Sequence, residues 1–122
     1  MEVGTTPDTT TTTSYQRLTL LKRYTGPLEA AGEGEMLTGG DPKTGTAGYV
    51  AIEAVAGTLN GATGTFQLMQ FGTLINGAPE LRCVVVPGSG TEGFTGLSGT
   101  MQFDRSPDGK HTYALDYTLP GQ

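Results

Sequence analysis

The chain has 122 residues, with 12 acidic and 7 basic side chains and a formal net charge of −5 at pH 7. Its basic residues form no cluster, which excludes the concentrated positive charge that nucleic-acid binding requires. Since no apolar run approaches the roughly 20 residues of a membrane helix, we expect a soluble, cytoplasmic protein that has neither nucleic acid nor membrane as a partner.

Glycine and proline, of which the chain has 20 and 7, stand mostly in small groups between short apolar runs. Such groups mark turns between strands, and a glycine inside a helix costs about 1 kcal/mol relative to alanine. The composition therefore predicts an all-β fold, and the length favours one domain. The single cysteine, Cys83, excludes an internal disulfide and lies in an apolar run, which indicates a buried structural thiol rather than a nucleophile.

The N-terminal residues 1–15 are interpreted as a flexible, threonine-rich segment, because residues 4–14 are polar and of low complexity. Within it, Met1 to Val3 are interpreted as the remnant of a strand. Residues 16–122 form the predicted β-barrel domain.

From residue 16 onward, side chains alternate with the two-residue period of strands. The predicted strands are 16–25, 28–38, 49–59, 63–73, 81–86, 98–104 and 111–119. The predicted turns include Gly39 to Pro42 and the two hairpin signals Asn60-Gly61 and Asn76-Gly77. A β-bulge is expected where Gly32 and Gly34 interrupt the second strand. Together these elements predict a small antiparallel up-and-down β-barrel of about eight strands, since closure removes exposed edges.

Several short motifs follow one another along the chain, and any one of them alone would be unspecific. They are Gly34-Glu35-Met36-Leu37, the run from Gly45 to Glu53, Gly57-Thr58-Leu59-Asn60-Gly61, Gly64-x-Phe66, Val85-Val86-Pro87-x-Ser89-Gly90-Thr91, and His111-x-Tyr113 leading to Tyr117-Thr118-Leu119-Pro120. Taken jointly, over roughly residues 16–120, the sequence resembles the bacterial family known as domain of unknown function 3224, which is grouped with the allene-oxide-cyclase-like barrels. The resemblance implies a barrel with a closed bottom and an interior pocket, but it implies no reaction.

The chain departs from this family pattern in three places. Its first strand is shortened into the threonine tract. Gln70 stands where the family usually has a histidine, which removes a group that titrates near neutral pH. Leu21, Met69 and Phe71 are apolar at outward-facing positions that are usually polar, which favours either contact with a second copy of the chain in a homo-oligomer or a pocket of altered shape.

Glu53 is the strongest candidate for a catalytic residue. Alternation along 49–59 places it on the inner face with Tyr49 and Val55. A carboxylate among apolar neighbours is costly unless it is paired or protonated, and burial favours its neutral form. Glu53 is therefore a candidate general base, and the alternative is a structural carboxylate hydrogen-bonded to a tyrosine or lysine.

Further candidates surround Glu53 in the predicted interior. Lys22 and Glu35 are its candidate partners and ligand-binding residues, although either could instead lie on a solvated face. Gln70 can orient a carbonyl group or a water but cannot act as a base, and Tyr49 is a candidate polarising group. The remaining predicted ligand-binding residues are Phe66, Leu68, Met101, Tyr113 and Tyr117.

Three hypotheses of function follow from these residues. The first is a barrel that binds a small, largely apolar organic molecule and acts as a cofactor-independent isomerase, cyclase or lyase, with Glu53 as the base. The second is a binding or carrier module without turnover, and the third is a purely structural oligomer. No cofactor is expected, because the chain has neither a phosphate-binding loop nor a serine-nucleophile motif, and its one histidine, His111, lacks nearby partners for a metal.

Overall fold

The computed structural model describes residues 1–7 and 15–122. Its strands are β1 (Glu2–Pro7), β2 (Gln16–Tyr24), β3 (Leu28–Asp41), β4 (Thr46–Leu59), β5 (Ala62–Ile75), β6 (Ala78–Val85), β7 (Ser98–Arg105) and β8 (His111–Thr118). All eight form one antiparallel sheet in sequence order. The predicted antiparallel all-β architecture is confirmed. Within the described residues, no helix has the length and apolarity needed to cross a membrane.

The sheet curls into a half-barrel, so that β8 returns to the turn between β2 and β3. There the hydroxyl of Tyr113 donates a hydrogen bond to the carbonyl of Thr25 over 2.9 Å. Farther along β8, the side-chain amide of Asn60 donates to the hydroxyl of Tyr117 over 2.8 Å. These tyrosine contacts tie the last strand to turns between earlier strands, far from it in the order of the sheet.

Two tight hairpins link β4 to β5 and β5 to β6. Asn60 and Gly61 have φ angles of 47° and 91°, and Asn76 and Gly77 have φ angles of 49° and 79°. Positive φ at both central residues is the geometry that two-residue hairpins favour. Both Asn-Gly predictions are confirmed.

Some element boundaries differ from those predicted. β1 extends to Pro7 and pairs with β2, so residues 4–7 continue a strand that we expected to end at Val3; the remaining residues 8–14 of the predicted flexible segment lie outside the described part. β3 continues to Asp41, and the turn comes later, at a 3-10 helix over Pro42–Thr44. Asp41 stabilises this turn because its carboxylate accepts a hydrogen bond from the backbone amide of Lys43.

The predicted bulge at Gly32 and Gly34 is wrong. Every residue of β3 and β4 is described, and the two strands pair one for one, with Gly32 opposite Val55 and Gly34 opposite Glu53. A Cβ atom at Gly32 would lie 1.9 Å from Oε2 of Glu53, and one at Gly34 would lie 2.0 Å from the carbonyl oxygen of Ile52. These glycines therefore allow β3 and β4 to approach each other closely. The alternation of inward and outward side chains continues through them.

The hydrophobic core fills the end of the half-barrel near the β2–β3 and β4–β5 turns. Its buried members are Tyr24, Leu28, Val55, Leu59, Phe66, Leu68, Cys83, Val85, Phe94, Leu97, Met101 and Leu119. A 3-10 helix over Glu92–Phe94, in the connection between β6 and β7, places the ring of Phe94 edge-on to that of Phe66 at a centroid distance of 5.3 Å. The aromatic packing closes this end and leaves the opposite end for a cavity.

Candidate functional site

A cavity of about 460 Å³ lies inside the half-barrel, at the end opposite the packed core. The polar side chains among its lining residues are those of Lys22, Tyr49, Gln70, Glu80, His111 and three threonines, Thr5, Thr38 and Thr73. Much of its wall is apolar and is formed by residues such as Leu20, Met36, Leu74, Leu81 and Phe103. An interior pocket at one end of the barrel is what the family resemblance implied.

Glu53 lies beneath this cavity and is fully buried, at 0% exposure. The hydroxyl of Tyr24 donates a hydrogen bond to its Oε2 over 2.6 Å. Nζ of Lys22 lies 3.0 Å from its Oε1, an ion-pair contact that lacks hydrogen-bond alignment. Glu53 is not among the residues that line the cavity. The predicted enclosure of Glu53 is confirmed, and its contacts are those of the structural alternative.

Tyr24 and Lys22 hold this carboxylate from two sides. Burial raises the pKa of Tyr24 well above its ordinary value, and the nearby charge of Glu53 raises it further. The phenol therefore stays protonated and remains a donor. Lys22 also lies 4.1 Å from the centre of the Phe103 ring, so its ammonium group contacts both a carboxylate and an aromatic face.

Tyr49 and Gln70 form a second polar contact, and both line the cavity. The hydroxyl of Tyr49 donates a hydrogen bond to Oε1 of Gln70 over 3.1 Å. Burial raises the pKa of Tyr49 to about 12. Nε2 of Gln70 is buried and has no hydrogen-bond partner among residues 1–7 and 15–122. Gly72 leaves room for the tyrosine, since a Cβ there would lie 2.5 Å from Cε1 of the Tyr49 ring.

The comparisons with known proteins agree with this architecture. A family model described as a protein of unknown function, DUF3224, matches residues 2–117. The chain belongs to this family. It is also similar to the crystal structure of a protein of unknown function from the DUF3224 family of Shewanella oneidensis MR-1, with a TM-score of 0.90 and 37% identity over 99% of this chain and 93% of that one. None of the curated proteins matches the sequence.

Membership of DUF3224 confirms the family resemblance, whereas the wider likeness to allene-oxide-cyclase-like barrels stays a prediction. Within the described part of this DUF3224 chain, no three His, Cys, Asp or Glu side chains come together in a group that could hold a metal ion. His111 lies half-buried at the cavity mouth, where its carbonyl accepts a hydrogen bond from the amino group of Met1 over 3.4 Å.

Glu35 does not lie with Glu53. It points outward from β3 and forms an exposed ion pair with Arg17 at 2.6 Å. From the sequence, the direction of Glu35 depended on how Gly32 and Gly34 bend the strand, and pairing without a bulge keeps it on the outer face. Its predicted partnership with Glu53 is therefore wrong, whereas Lys22 has the predicted inward direction.

Five other predicted ligand-binding residues do not line the cavity. Phe66, Leu68 and Met101 are buried in the core cluster. Tyr113 and Tyr117 face inward along β8, but their hydroxyls form hydrogen bonds with turns between earlier strands. These bonds tie β8 to the rest of the sheet. The prediction placed all five in one ligand pocket because it did not locate the boundary between the packed end and the open end.

Sequence reasoning gave no specific role to two residues of the site, Tyr24 and Phe103. The alternation in β2 already placed Tyr24 on the same face as Lys22, which is the signal that would have identified it as the partner of Glu53. Phe103 alternates with Met101 along β7, yet its contact with Lys22 depends on the curl of the whole sheet.

The outer face presents exposed apolar side chains. Leu21, Met69 and Phe71 are 51%, 44% and 51% exposed, so their predicted outward direction is confirmed. Met69 and Phe71 pair across the sheet with Ile52 and Val50, which are exposed to a similar degree. Val50, Ile52, Met69 and Phe71 line a groove of about 820 Å³ together with neighbouring residues, whereas Leu21 lies outside it.

Proposed function

We propose that this DUF3224 protein binds a small, largely apolar organic molecule in its interior cavity and releases it unchanged, as a binding or carrier module. The observation that carries the proposal is a cavity of about 460 Å³ whose wall is mainly apolar, with a few polar groups at its buried end. Ligand sites in proteins are typically clefts of roughly 300–1,000 Å³ with this distribution of polar and apolar groups.

The position of Glu53 favours binding over catalysis. A general base must come within hydrogen-bond reach of the proton that it removes. Both oxygens of Glu53 face protein groups, and the cavity is lined by Lys22 instead. A substrate would therefore meet the amine before the carboxylate.

Proton transfer by a cofactor-independent isomerase, cyclase or lyase remains the second candidate. It is favoured by the 3.0 Å contact between Lys22 and Glu53, which leaves the carboxylate one side chain away from the cavity. Ring opening of nitrobenzisoxazole, in which a base removes a proton from carbon as the N–O bond breaks, tests it. This candidate requires that the protein accelerate the reaction and that Glu53→Gln abolish the acceleration while sparing ligand binding. No acceleration by the wild-type protein rejects it for this carbon acid.

Binding can be tested with N-phenylnaphthylamine, an uncharged probe that becomes fluorescent in apolar sites. We expect saturable binding to the wild-type protein. Ala47 lines the cavity from β4, so Ala47→Phe would fill part of it and weaken binding by about tenfold, which is about 1.4 kcal/mol. Ala54→Phe is the matched control, because Ala54 lies on the same strand and is exposed on the outer face. No saturable binding, or equal loss in both variants, contradicts the proposal.

The outer face supports a proposal about assembly. Exposed Met69 and Phe71, with Val50 and Ile52 beside them, form an apolar surface that a second copy of the chain could cover. Sedimentation of the wild-type protein and of Phe71→Glu tests this prediction, since a contact through this face requires that the charged variant dissociate. A wild-type monomer at all concentrations rejects it. The cytoplasmic location stays a prediction.

A further inference from the structure

We propose that the molecule bound in the cavity is uncharged and carries a carbonyl group that accepts a hydrogen bond from the side-chain amide of Gln70. This inference rests on the proposed function, because it names the class of ligand that the same cavity takes. In this proposal, the amide of Gln70 makes the cavity bind a carbonyl compound in preference to a hydrocarbon or a carboxylate.

Within the described residues, the buried end of the cavity has no unpaired cation for an anionic ligand. At the buried end, Lys22 is paired with Glu53 at 3.0 Å, with side chains only 6% and 0% exposed. The mouth is lined by the amino group of Met1, the carboxylate of Glu80 and the imidazole of His111. A ligand carboxylate seated beside Gln70 would have to give up water without gaining an unpaired cation at the buried end, which is costly.

The amide of Gln70 supplies the hydrogen bond. Because the hydroxyl of Tyr49 donates to Oε1, the other end of the amide, Nε2, is the group left to donate. Gln70 is 7% exposed and lines the cavity. A buried donor without a protein partner costs free energy that a ligand acceptor would recover. The matching group on a neutral apolar molecule is a carbonyl oxygen.

Three molecules of similar shape separate the alternatives: benzophenone, a ketone; diphenylmethane, in which a methylene replaces the carbonyl; and diphenylacetate, a carboxylate. Their dissociation constants can be measured by displacement of N-phenylnaphthylamine or by ligand-observed NMR. The test variant is Gln70→Met, which keeps the length of the side chain and removes the amide. The matched control is Gln67→Met, because Gln67 lies on the same strand and points outward.

We expect benzophenone to bind more tightly than diphenylmethane and diphenylacetate. In Gln70→Met, benzophenone should lose affinity by about fivefold to tenfold, the value of one hydrogen bond. Diphenylmethane should bind this variant as well as it binds the wild-type protein, which also shows that the variant is folded. Gln67→Met should leave all three affinities unchanged.

The outcomes distinguish this inference from the proposal on which it rests. Equal binding of ketone and hydrocarbon, or benzophenone binding that Gln70→Met leaves intact, overturns the ligand class while the cavity remains a binding site. Diphenylacetate binding as tightly as the ketone overturns the charge argument. If none of the three binds and the naphthylamine also fails, the proposed function itself is wrong.

Discussion

Two buried polar sites lie side by side on the inner face of the half-barrel. They differ in how many of their polar atoms contact protein groups. We call Lys22, Tyr24 and Glu53 the acid cluster, and Tyr49 with Gln70 the amide pair. In the acid cluster both carboxylate oxygens contact protein groups. In the amide pair only one end of the amide does, as far as the described residues extend.

The difference follows from the cost of burying each group. An isolated buried charge is so unfavourable that the protein must supply its partners. A neutral amide with one unpaired end costs only about 1–3 kcal/mol, which a fold of ordinary stability can bear. The residue that looks most reactive in the sequence, Glu53, is thus enclosed by its partners, whereas the less conspicuous Gln70 keeps one end of its amide unpaired among the described residues.

Removing the cation of the acid cluster should have the largest effect. Lys22→Met would leave Glu53 buried without an opposite charge, and we expect the free energy of unfolding to fall by about 3–5 kcal/mol. Urea unfolding measures this loss. Lys110→Met is the control, because Lys110 is exposed and its loss should change stability by at most about 0.5 kcal/mol. Equal stability of both variants would mean that the ion pair does not hold the acid cluster together.

The two tyrosines allow the sites to be compared with the same chemical change. Tyr24→Phe removes a hydrogen bond to a charged group and should cost about 1.5–3 kcal/mol, whereas Tyr49→Phe removes one to a neutral amide and should cost about 0.5–1.5 kcal/mol. Tyr15→Phe, at a 48% exposed position, controls for the loss of a hydroxyl alone. Urea unfolding again provides the measurement. A larger loss in Tyr49→Phe than in Tyr24→Phe would reverse our ranking of the two sites.

The sequence predicted the features of this fold that depend on local pattern. The alternation of side chains along β4 identified Glu53 as an inward residue, and both Asn-Gly pairs identified hairpins. The prediction that Glu35 is a partner of Glu53 was wrong because Gly32 and Gly34 serve contacts with the neighbouring strand β4 and do not bend β3. These glycines make room for Glu53 and for the backbone of the next strand, which depends on register and cannot be read from one strand.

The position of the open end of the barrel also depends on contacts between residues that are distant in the sequence. The connection between β6 and β7 inserts Phe94 against Phe66 and closes one end. Nothing in the strand carrying Phe66 and Leu68 distinguishes a cavity wall from a packed core, since both require inward apolar side chains. The predicted ligand residues at these positions therefore became core, whereas Gln70, farther along the same strand, reached the cavity.

The smallest predicted effect concerns Cys83, which lies between the two polar sites. It is the partner of Gln70 in the pairing of β5 with β6 and is 3% exposed. Burial raises the pKa of its thiol from 9.0 to about 11; the charge of Lys22 opposes this shift and that of Glu53 adds to it. Between about pH 9 and about pH 11, the folded protein thus keeps the thiol proton that the unfolded chain has already lost.

Because the folded state binds this proton more tightly, the contribution of Cys83 to stability is fully present below about pH 9 and is lost as the pH rises through about 11. We expect a loss of about 1 kcal/mol at about pH 10. Urea unfolding at several pH values from about 8 to 10 should show a steeper decline in the wild-type protein than in Cys83→Val, which has no titrating group there. Parallel declines would mean that the thiol titrates alike in the folded and unfolded states. Water would then enter the space between the acid cluster and the amide pair more freely than the packing around Cys83 indicates.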